Sequence, residues 1–554
     1  MSHQDIYSSS VVSPPYDDPD RITDEKADNS SSIEKGGVRE YVVQTDPKNH
    51  FDAADLDRVQ RRLKQRHVQM IAIAGTLGTG LFLGSGHALQ GAGPAGALIA
   101  YALVGSVTYA TLCSLGEMTS FAPISGSFPH YAARWADPAL GFALGWNYFY
   151  TTAISTPVEI TAAGILVTFW DGNIKHQSGY LAAITVCVCA INIFGVRWFG
   201  EAEFMFSIIK LFLITLLIIV GLVIDLGGGP NHDRIGFRYW DNPGAFAGSG
   251  LEPKHPSLDK FLGMLSVIVQ AAFSFQGMEI VAISAAETEN PRRNIAKAIL
   301  GIVITGMLVP YNDPSLLSTT GTAAESPYVI AIERAGIKVL PSFVNACVFT
   351  SAFSAGNSFL FAASRILYGL AVRGQAPRFL AYCTKSGLPL AAVLTSSIFA
   401  FLSFMSVSSG ADTVFNWLVN LSTTGGFFSW GAMNVTYVQF YKGLRAQGYD
   451  RRTFSYYNRL QPYLAYWAIF WLAIFILITG FEVFWAFNAS DFFTDYINVP
   501  IFLGLYVFWK IFKRTKAWKP EEMDFVTAIP SVKETETPEV PPTTIMQKIA
   551  AVLF

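Results

Sequence analysis

Residues 70–82 read Met-Ile-Ala-Ile-Ala-Gly-Thr-Leu-Gly-Thr-Gly-Leu-Phe, and this stretch decides the fold. It is apolar overall, but three glycines and two threonines fall within six consecutive residues, 75–80. That composition weakens a helix, and non-helical backbone inside a bilayer is tolerated only where it is buried in protein or lines a cavity. Close packing of two helices through small residues explains the same glycines, so this stretch alone leaves both interpretations open.

A second apolar stretch carries a similar interruption. Residues 271–279 read Ala-Ala-Phe-Ser-Phe-Gln-Gly-Met-Glu, with glycine and polar residues at the middle of a predicted span. Two interrupted helices, each the first of a five-span half, are the signature of an inverted-repeat transporter. The start of a half-helix offers free N–H groups to a carboxylate, and unwound carbonyls suit an ammonium group. The two interruptions together indicate a site for a zwitterion such as an α-amino acid.

The composition agrees with a membrane protein. The 554 residues are 51% hydrophobic and only 14% charged, whereas soluble domains carry about 25% charged residues. A formal net charge of −2 argues against nucleic acid as a partner. The sequence offers no cluster of metal ligands and no paired nucleophile and base, so we expect no enzyme activity, no metal and no cofactor.

The apolar runs predict an all-α integral membrane protein of about twelve transmembrane helices. Residues 1–60 are polar and are predicted to form a disordered tail. The membrane domain spans 61–515 and consists of two halves, 68–226 and 259–440, followed by two extra helices within 464–513. Residues 516–554 form a second tail. The predicted spans are 68–89, 95–118, 138–168, 180–196, 201–226, 259–287, 298–311, 342–371, 388–407, 412–440, 464–484 and 492–513.

Basic residues indicate the orientation of these spans. Lys and Arg are concentrated in the loops that follow the even-numbered spans and after the last span. The turns at 90–94, 408–411 and 485–491 contain none. Positively charged loops stay on the cytoplasmic side of a membrane. Both termini are therefore predicted to be cytoplasmic.

Four ionisable residues lie inside apolar runs: Glu117, Glu159, Lys210 and Glu279. A charge at the bilayer centre is costly unless it faces a cavity or a partner. Glu117 lies near a helix end and is interpreted as structural. Glu159 and Glu279 are candidates for proton coupling or for contact with substrate, and the alternative is a carboxyl that stays protonated and joins two helices. Lys210 is too deep to reach the surface easily, so it either fills a cation site or forms a structural ion pair.

Several longer motifs carry a resemblance to a known family. They are Gly75–Phe82, Gly116–Met118, Asp137–Tyr148, Phe273–Phe275 before Glu279, Asn290–Arg293 and Arg365–Tyr368. With these motifs, residues 60–525 resemble the fungal amino acid permeases of the amino acid–polyamine–organocation superfamily. Residues 225–230, 234–240 and 521–525 are similar to the group that includes dicarboxylic amino acid permeases.

The resemblance implies a five-plus-five inverted repeat with two extra helices. It also implies proton-coupled import of L-amino acids at the plasma membrane, with the proton gradient as the energy source. Lys210 matches the lysine that occupies the cation site in proton-coupled relatives, and tail lysines such as Lys35 would accept ubiquitin from a ligase. The implied substrate contacts are Gly75, Thr76, Gly78, Thr79 and Gly80 for the α-carboxylate, and Phe273, Ser274, Phe275, Gln276 and Gly277 around the α-ammonium, with Phe275 as a gate or wall.

Two features depart from the family pattern. Met278 stands where the family usually has threonine before the glutamate, and Gln276 stands where it often has a small residue. A thioether and an amide near the substrate side chain would alter substrate choice, so the resemblance does not determine which amino acid binds. The seventh span, Ala298–Tyr311, has 14 residues, which make about 21 Å of helix against a hydrocarbon core of about 30 Å. Either residues 293–297 join the span, or the bilayer thins locally, or a segment is missing from this sequence. The alternatives to a transporter are thus an amino acid sensor of the same fold and an inactive product that lacks part of helix seven.

Overall fold

The computed structural model describes residues 78–122, 127–194, 196–280, 308–317, 326–384, 387–454 and 456–526. Within these ranges the chain consists of helices joined by turns and loops, and it contains no strand. The predicted all-helical class is therefore confirmed. The tail over residues 1–60 and most of the seventh span lie outside the described residues.

The described residues of the first half of the chain form six α-helices. The first of them has four residues, and a single residue, Leu83, separates it from the second helix. Leu83 keeps right-handed helical backbone angles (φ −95°, ψ −49°), so Thr79 begins a much longer helical run. The helices are α1 (Thr79–Phe82), α2 (Gly84–Phe121), α3 (Ser127–Trp135), α4 (Pro138–Val167), α5 (Ile174–Phe194) and α6 (Val196–Asp225).

The second half and the C-terminal part contain eleven further α-helices among the described residues. Several of them are fragments of one span, separated by short irregular segments. They are α7 (Pro256–Ser266), α8 (Ile268–Phe275), α9 (Pro314–Leu317), α10 (Pro327–Arg334), α11 (Leu340–Val372), α12 (Leu390–Ala400), α13 (Ser406–Ser409), α14 (Ala411–Ala446), α15 (Tyr463–Ile478), α16 (Ala489–Tyr496) and α17 (Asn498–Lys513).

Gly93 marks the turn between the first two predicted spans. Its backbone (φ 72°, ψ 173°) is non-helical and divides α2 into two helical runs within the predicted turn at 90–94. A Cβ atom at this position would lie 2.6 Å from the backbone nitrogen of Ala247. That nitrogen donates a hydrogen bond to the carbonyl of Ala92 at 3.0 Å. Glycine is required here because the loop before α7 packs directly on the turn and the positive φ disfavours other residues.

Seven helical stretches of the described residues are long and apolar enough to cross a membrane. The pair α16 and α17, bent by 41°, supplies an eighth if the two form one span. α4 and α14 are long, at 30 and 36 residues, yet neither belongs to this group. Both carry buried polar side chains, among them Asn147 and Glu159 in α4 and Asn434 in α14. Polar groups that face the protein interior lower the mean hydropathy of these two helices, so hydropathy understates them.

The predicted span 259–287 is not one continuous helix. Val267 has non-helical backbone angles (φ −90°, ψ 2°) between α7 and α8, and α8 ends at Phe275. The second break is the interruption that the sequence predicts, whereas the first carries no glycine or proline to signal it. The span 464–484 ends in a 3₁₀ turn, Phe481–Phe484, and within the span 388–407 a 3₁₀ turn, Phe401–Met405, separates α12 from α13.

α4 lies at the centre of the helical body. Nearly all of its residues are buried, and it packs most extensively against α11 and α14. Pro157 lies inside α4, two residues before Glu159. A proline removes one helical hydrogen bond, so the backbone is weakened next to a buried carboxylate.

The segment after α17 packs back onto α2, α3 and α14. Met523 and Phe525 are buried, and the ring of Phe525 lies 5.8 Å from those of Trp135 and Phe440. The carbonyl of Asp524 accepts hydrogen bonds from Arg134 Nε at 2.8 Å and from Trp135 Nε1 at 3.0 Å. The predicted C-terminal tail, 516–554, thus begins with a segment that belongs to the folded body.

Candidate functional site

The first interrupted stretch supplies the start of a helix. Gly78 is extended (φ −98°, ψ −169°), and the helix begins at Thr79. The N–H groups in the first turn of a helix have no helical acceptor, and the helix dipole makes this end positive. Gly75 and Thr76, which belong to the same predicted set, lie outside the described residues.

Glu159 of α4 caps this helix start. Thr79 Oγ1 donates a hydrogen bond to Glu159 Oε2 at 2.9 Å. A Cβ atom on Gly78 would lie only 3.0 Å from the other carboxylate oxygen, Oε1. Glu159 is 2% exposed, so its carboxylate meets the helix start in a site shielded from solvent.

The two interrupted stretches touch each other at Gly80. A Cβ atom on Gly80 would lie 2.8 Å from the Cα atom of Ser274 and 2.9 Å from the ring of Phe273. No side chain fits between these backbones without displacing one of them. The structure therefore brings together Thr79 and Gly80 from the first predicted set with Phe273 and Ser274 from the second.

α8 ends where the second interruption is predicted. Gln276 is extended (φ −67°, ψ 143°), and Gly277 has a positive φ of 92°. The last carbonyls of a helix lack helical donors, so this end presents acceptor groups. Ser274 Oγ lies 2.9 Å from the hydroxyl of Tyr101, and the buried ring of Phe275 lies 6.0 Å from that of Tyr101.

The side chain of Gln276 contacts α14. Its Nε2 donates to the carbonyl of Ser422 at 3.3 Å, and its Oε1 lies 3.5 Å from Ser422 Oγ. Both groups are buried. An amide at this position therefore joins the broken helix to α14 next to the interruption.

Glu279 faces two neutral donors. Tyr148 Oη donates to Glu279 Oε1 at 3.2 Å, and Trp430 Nε1 donates to Oε2 at 3.3 Å. The carboxylate is 3% exposed and lies between α4 and α14. Its surroundings differ from those of Glu159, whose partner is the start of a helix.

Lys210 is 1% exposed on α6 and interacts electrostatically with Glu203 and Glu159. One of these two carboxylates, Glu159, is predicted from the sequence as a site residue, and the other, Glu203, is not. Glu203 precedes Lys210 by seven residues in the run Gly200-Glu-Ala-Glu-Phe204. Seven residues are two helical turns, so this spacing puts both side chains on one face of α6 and could have identified Glu203.

Glu117 occupies a separate cluster at the far end of α2. Arg451 pairs with its carboxylate, and Tyr437 Oη donates to Glu117 Oε2 at 2.8 Å. Arg451 follows α14, and its guanidinium also donates to the carbonyl of Asn458 at 3.0 Å. These contacts fit the structural interpretation of Glu117.

These features define a class: a multi-pass helical membrane protein in which two interrupted helices meet beside buried carboxylates and a buried lysine. The chain belongs to the amino acid permease family, whose family model matches residues 67–522.

Curated relatives agree with this membership. The chain is 41% identical to the dicarboxylic amino acid permease of Saccharomyces cerevisiae over 85% of this chain and 80% of the relative. It is 36% identical to the basic amino-acid permease of the same yeast over 94% and 92%. It is also 41% identical to the proline-specific permease of Emericella nidulans over 84% and 88%. The resemblance to fungal amino acid permeases inferred from the motifs is thus confirmed.

Proposed function

We propose that this chain is a secondary active transporter that imports L-amino acids across the plasma membrane by proton symport with alternating access. The observation that carries the proposal is the contact of two interrupted helices, where Gly80 meets the backbone of Ser274. Family membership supports the amino acid as cargo. Interrupted helices that meet inside a bundle suit a site that opens alternately to each side.

The substrate is proposed to bind between the two interruptions. Its α-carboxylate would meet the N–H groups of residues 75–80, at the positive end of the helix. Its α-ammonium would meet carbonyls of residues 273–277, which the end of α8 leaves without helical donors. Phe275 would then act as a gate or as a wall for the substrate.

Glu159 provides a physical route to coupling. It already bonds the helix start through Thr79, so a substrate carboxylate at the same helix start would lie near a second negative charge. Like charges repel strongly in a buried site, and a proton on Glu159 would remove this repulsion. Proton and substrate would then bind better together than separately. Lys210 and Glu279 are the other proposed coupling residues.

The remaining features of the proposal concern the whole chain. We propose about twelve helices, a five-plus-five inverted repeat with two added helices, and both termini in the cytoplasm. Tail lysines such as Lys35 would accept ubiquitin. The proposed substrate range is broad or acidic, in line with the similarity to the dicarboxylic amino acid permease.

Uptake of radiolabelled L-amino acids tests this proposal. The full chain is expressed in a yeast strain that lacks its own permeases, and its amount at the surface is measured through a tag. We expect saturable uptake that increases at acid pH and is abolished by an uncoupler. A surface-expressed chain without uptake would contradict transport and favour a sensor. A chain that never reaches the surface would favour the inactive product with a short seventh helix.

A further inference from the structure

A network of polar side chains fixes Glu203 between three helices. Ser354 Oγ donates to Glu203 Oε2 at 2.8 Å, and Asn357 Nδ2 donates to Oε1 at 2.8 Å. Both donors belong to α11, whereas Glu203 belongs to α6. The carboxylate is 2% exposed, so these bonds are protected from competition by water.

A second bond fixes the orientation of one donor. Asn192 of α5 donates through its Nδ2 to Asn357 Oδ1 at 2.7 Å. Because that bond uses the oxygen of the Asn357 amide, its nitrogen is left to face Glu203. Both oxygens of Glu203 are therefore held by donors whose positions are set by neighbouring helices.

Charge balance distinguishes this group from an ordinary ion pair. Lys210 interacts electrostatically with Glu203 and also with Glu159. Within the part of the chain that the structure describes, two carboxylates thus share one ammonium, which leaves one excess negative charge when all three groups are ionised. A single proton cancels that excess, and burying an uncompensated charge is costly. The group is therefore suited to gain and lose one proton.

The two carboxylates have different neighbours. Glu159 is bonded to Thr79 at the helix start, where the substrate is proposed to bind. The hydrogen-bond donors to Glu203 are the neutral side chains of Ser354 and Asn357 on α11, which does not belong to either interrupted helix. A Cβ atom on Gly356 would lie 3.4 Å from the Cβ atom of Glu159, so the turn of α11 that bonds the carboxylate of Glu203 also packs near the side-chain stem of Glu159. One acid is in contact with the site, and the other is anchored behind it.

We propose that Glu203 is a positioning residue for proton coupling: it is the fixed countercharge that holds Lys210 within reach of Glu159. This inference rests on the proposed function and adds to it a residue that does not contact the substrate. The charged group that faces this pair from another helix, among the described residues, is Glu159 on α4. α5 and α11 contribute the neutral side chains of Asn192, Ser354 and Asn357.

The test compares the pH profile of uptake in the full-length E203Q variant with that of the wild type. Loss of a nearby opposite charge changes the proton affinity of a buried group by about 1–3 pH units. Because E203Q removes a negative charge, the remaining pair of Glu159 and Lys210 binds its proton less tightly. The pH at which uptake falls to half on the alkaline side is therefore expected to decrease by about one pH unit or more. At acid pH the KM for substrate is expected to stay near that of the wild type, since Glu203 does not contact the proposed site.

E117Q is the matched control, because Glu117 is equally buried and paired but lies in the other cluster. It is expected to keep the wild-type midpoint. E203D is the conservative variant: it retains the charge at a greater distance, so its midpoint should fall by less than that of E203Q. Surface amount and melting temperature in detergent are measured for each variant.

Three results would overturn the inference. E203Q with a wild-type midpoint, or with the same profile as E117Q, would show that Glu203 has only a structural role. If E203Q does not reach the surface, an unshifted midpoint in E203D decides against the inference in the same way. A wild type whose uptake is independent of protons would instead contradict the proposed function.

Discussion

Glu117 and Glu159 are both buried carboxylates at contacts between helices, but their clusters differ in charge balance. At Glu117, one acid meets one guanidinium, from Arg451, with the hydroxyl of Tyr437 as a further donor. The guanidinium also bonds the carbonyls of Asn458, at 3.0 Å, and Gln461, at 3.4 Å. This cluster is complete without an added proton, and it joins α2 to the segment after α14.

The cluster around Glu159 is not balanced in this way. Glu159 and Glu203 share the single ammonium of Lys210, and Glu159 also bonds the start of an interrupted helix. Burial alone does not distinguish the two clusters, because both carboxylates are almost fully buried. Among the described residues, the group around Glu159 has one more acid than base and contacts a helix interruption, whereas Glu117 forms a closed ion pair with Arg451.

The largest effect is expected from G80V, because Gly80 lies where the two interrupted helices touch each other. Its Cβ atom would lie 2.8 Å from the Cα atom of Ser274, so the two interrupted helices must separate. Overpacking of this kind costs about 1–3 kcal/mol, and 1.4 kcal/mol already corresponds to about tenfold. Uptake per surface molecule should therefore fall by about tenfold or more. G431A is the control, because a Cβ atom there meets nothing within 4 Å. Equal activity of the two variants would exclude a site at Gly80.

The second prediction concerns E159Q. Glutamine resembles the protonated acid in shape and cannot release a proton, so uptake should lose its dependence on pH and on the proton gradient. Substrate should still equilibrate across the membrane, but it should not accumulate. Initial rates at several pH values and the final internal concentration are measured. If E159Q still accumulates substrate, and an uncoupler still abolishes that accumulation, coupling depends on another residue, such as Glu279.

E117Q should act on stability rather than on coupling. Breaking a buried ion pair leaves Arg451 without its partner and costs about 3 kcal/mol or more. We expect a lower melting temperature in detergent and fewer molecules at the surface, with an unchanged pH profile for those that remain. A shifted pH profile would remove the distinction between the two clusters.

The smallest effect is expected from D171N, in the loop between α4 and α5. The hydrogen bond with His176, at 2.7 Å, and that from Tyr180 lower the pKa of Asp171 to about 2. A lowered pKa means that any stabilisation is present above the ordinary pKa of about 4 and is lost only as pH falls towards 2. Between pH 4.5 and 7.5 the group does not titrate, so D171N should leave the shape of the uptake profile unchanged. A change in shape within this range would place a proton-sensing group outside the buried cluster.

The sequence predicts the interruptions well because glycines mark them locally. The helix start at Thr79 and the helix end at Phe275 both fall where Gly78 and Gly277 indicate. The partners across the bundle are not predictable in this way. Glu159 meets Thr79 from 80 residues away, and Gln276 meets Ser422 from 146 residues away, so both depend on tertiary packing.

Mean hydropathy alone does not identify α4 and α14, although their apolar runs correspond to the predicted spans 138–168 and 412–440. α4 and α14 contain the polar residues that the interior requires, and they fall outside the group of candidate spans. The break at Val267 has no glycine or proline beside it, so no local signal predicts it. Glu203 was overlooked because the run Gly200–Phe204 is polar and lies near the predicted start of a span, where charged residues are common.

Proton movement driven by substrate is the most direct test of coupled transport. The purified full-length chain is reconstituted into vesicles that contain a pH-sensitive dye, and an L-amino acid that the chain takes up is added outside without a pH gradient. Proton symport predicts acidification of the vesicle interior that requires the amino acid and saturates with it. Uptake of the amino acid without acidification would contradict coupling.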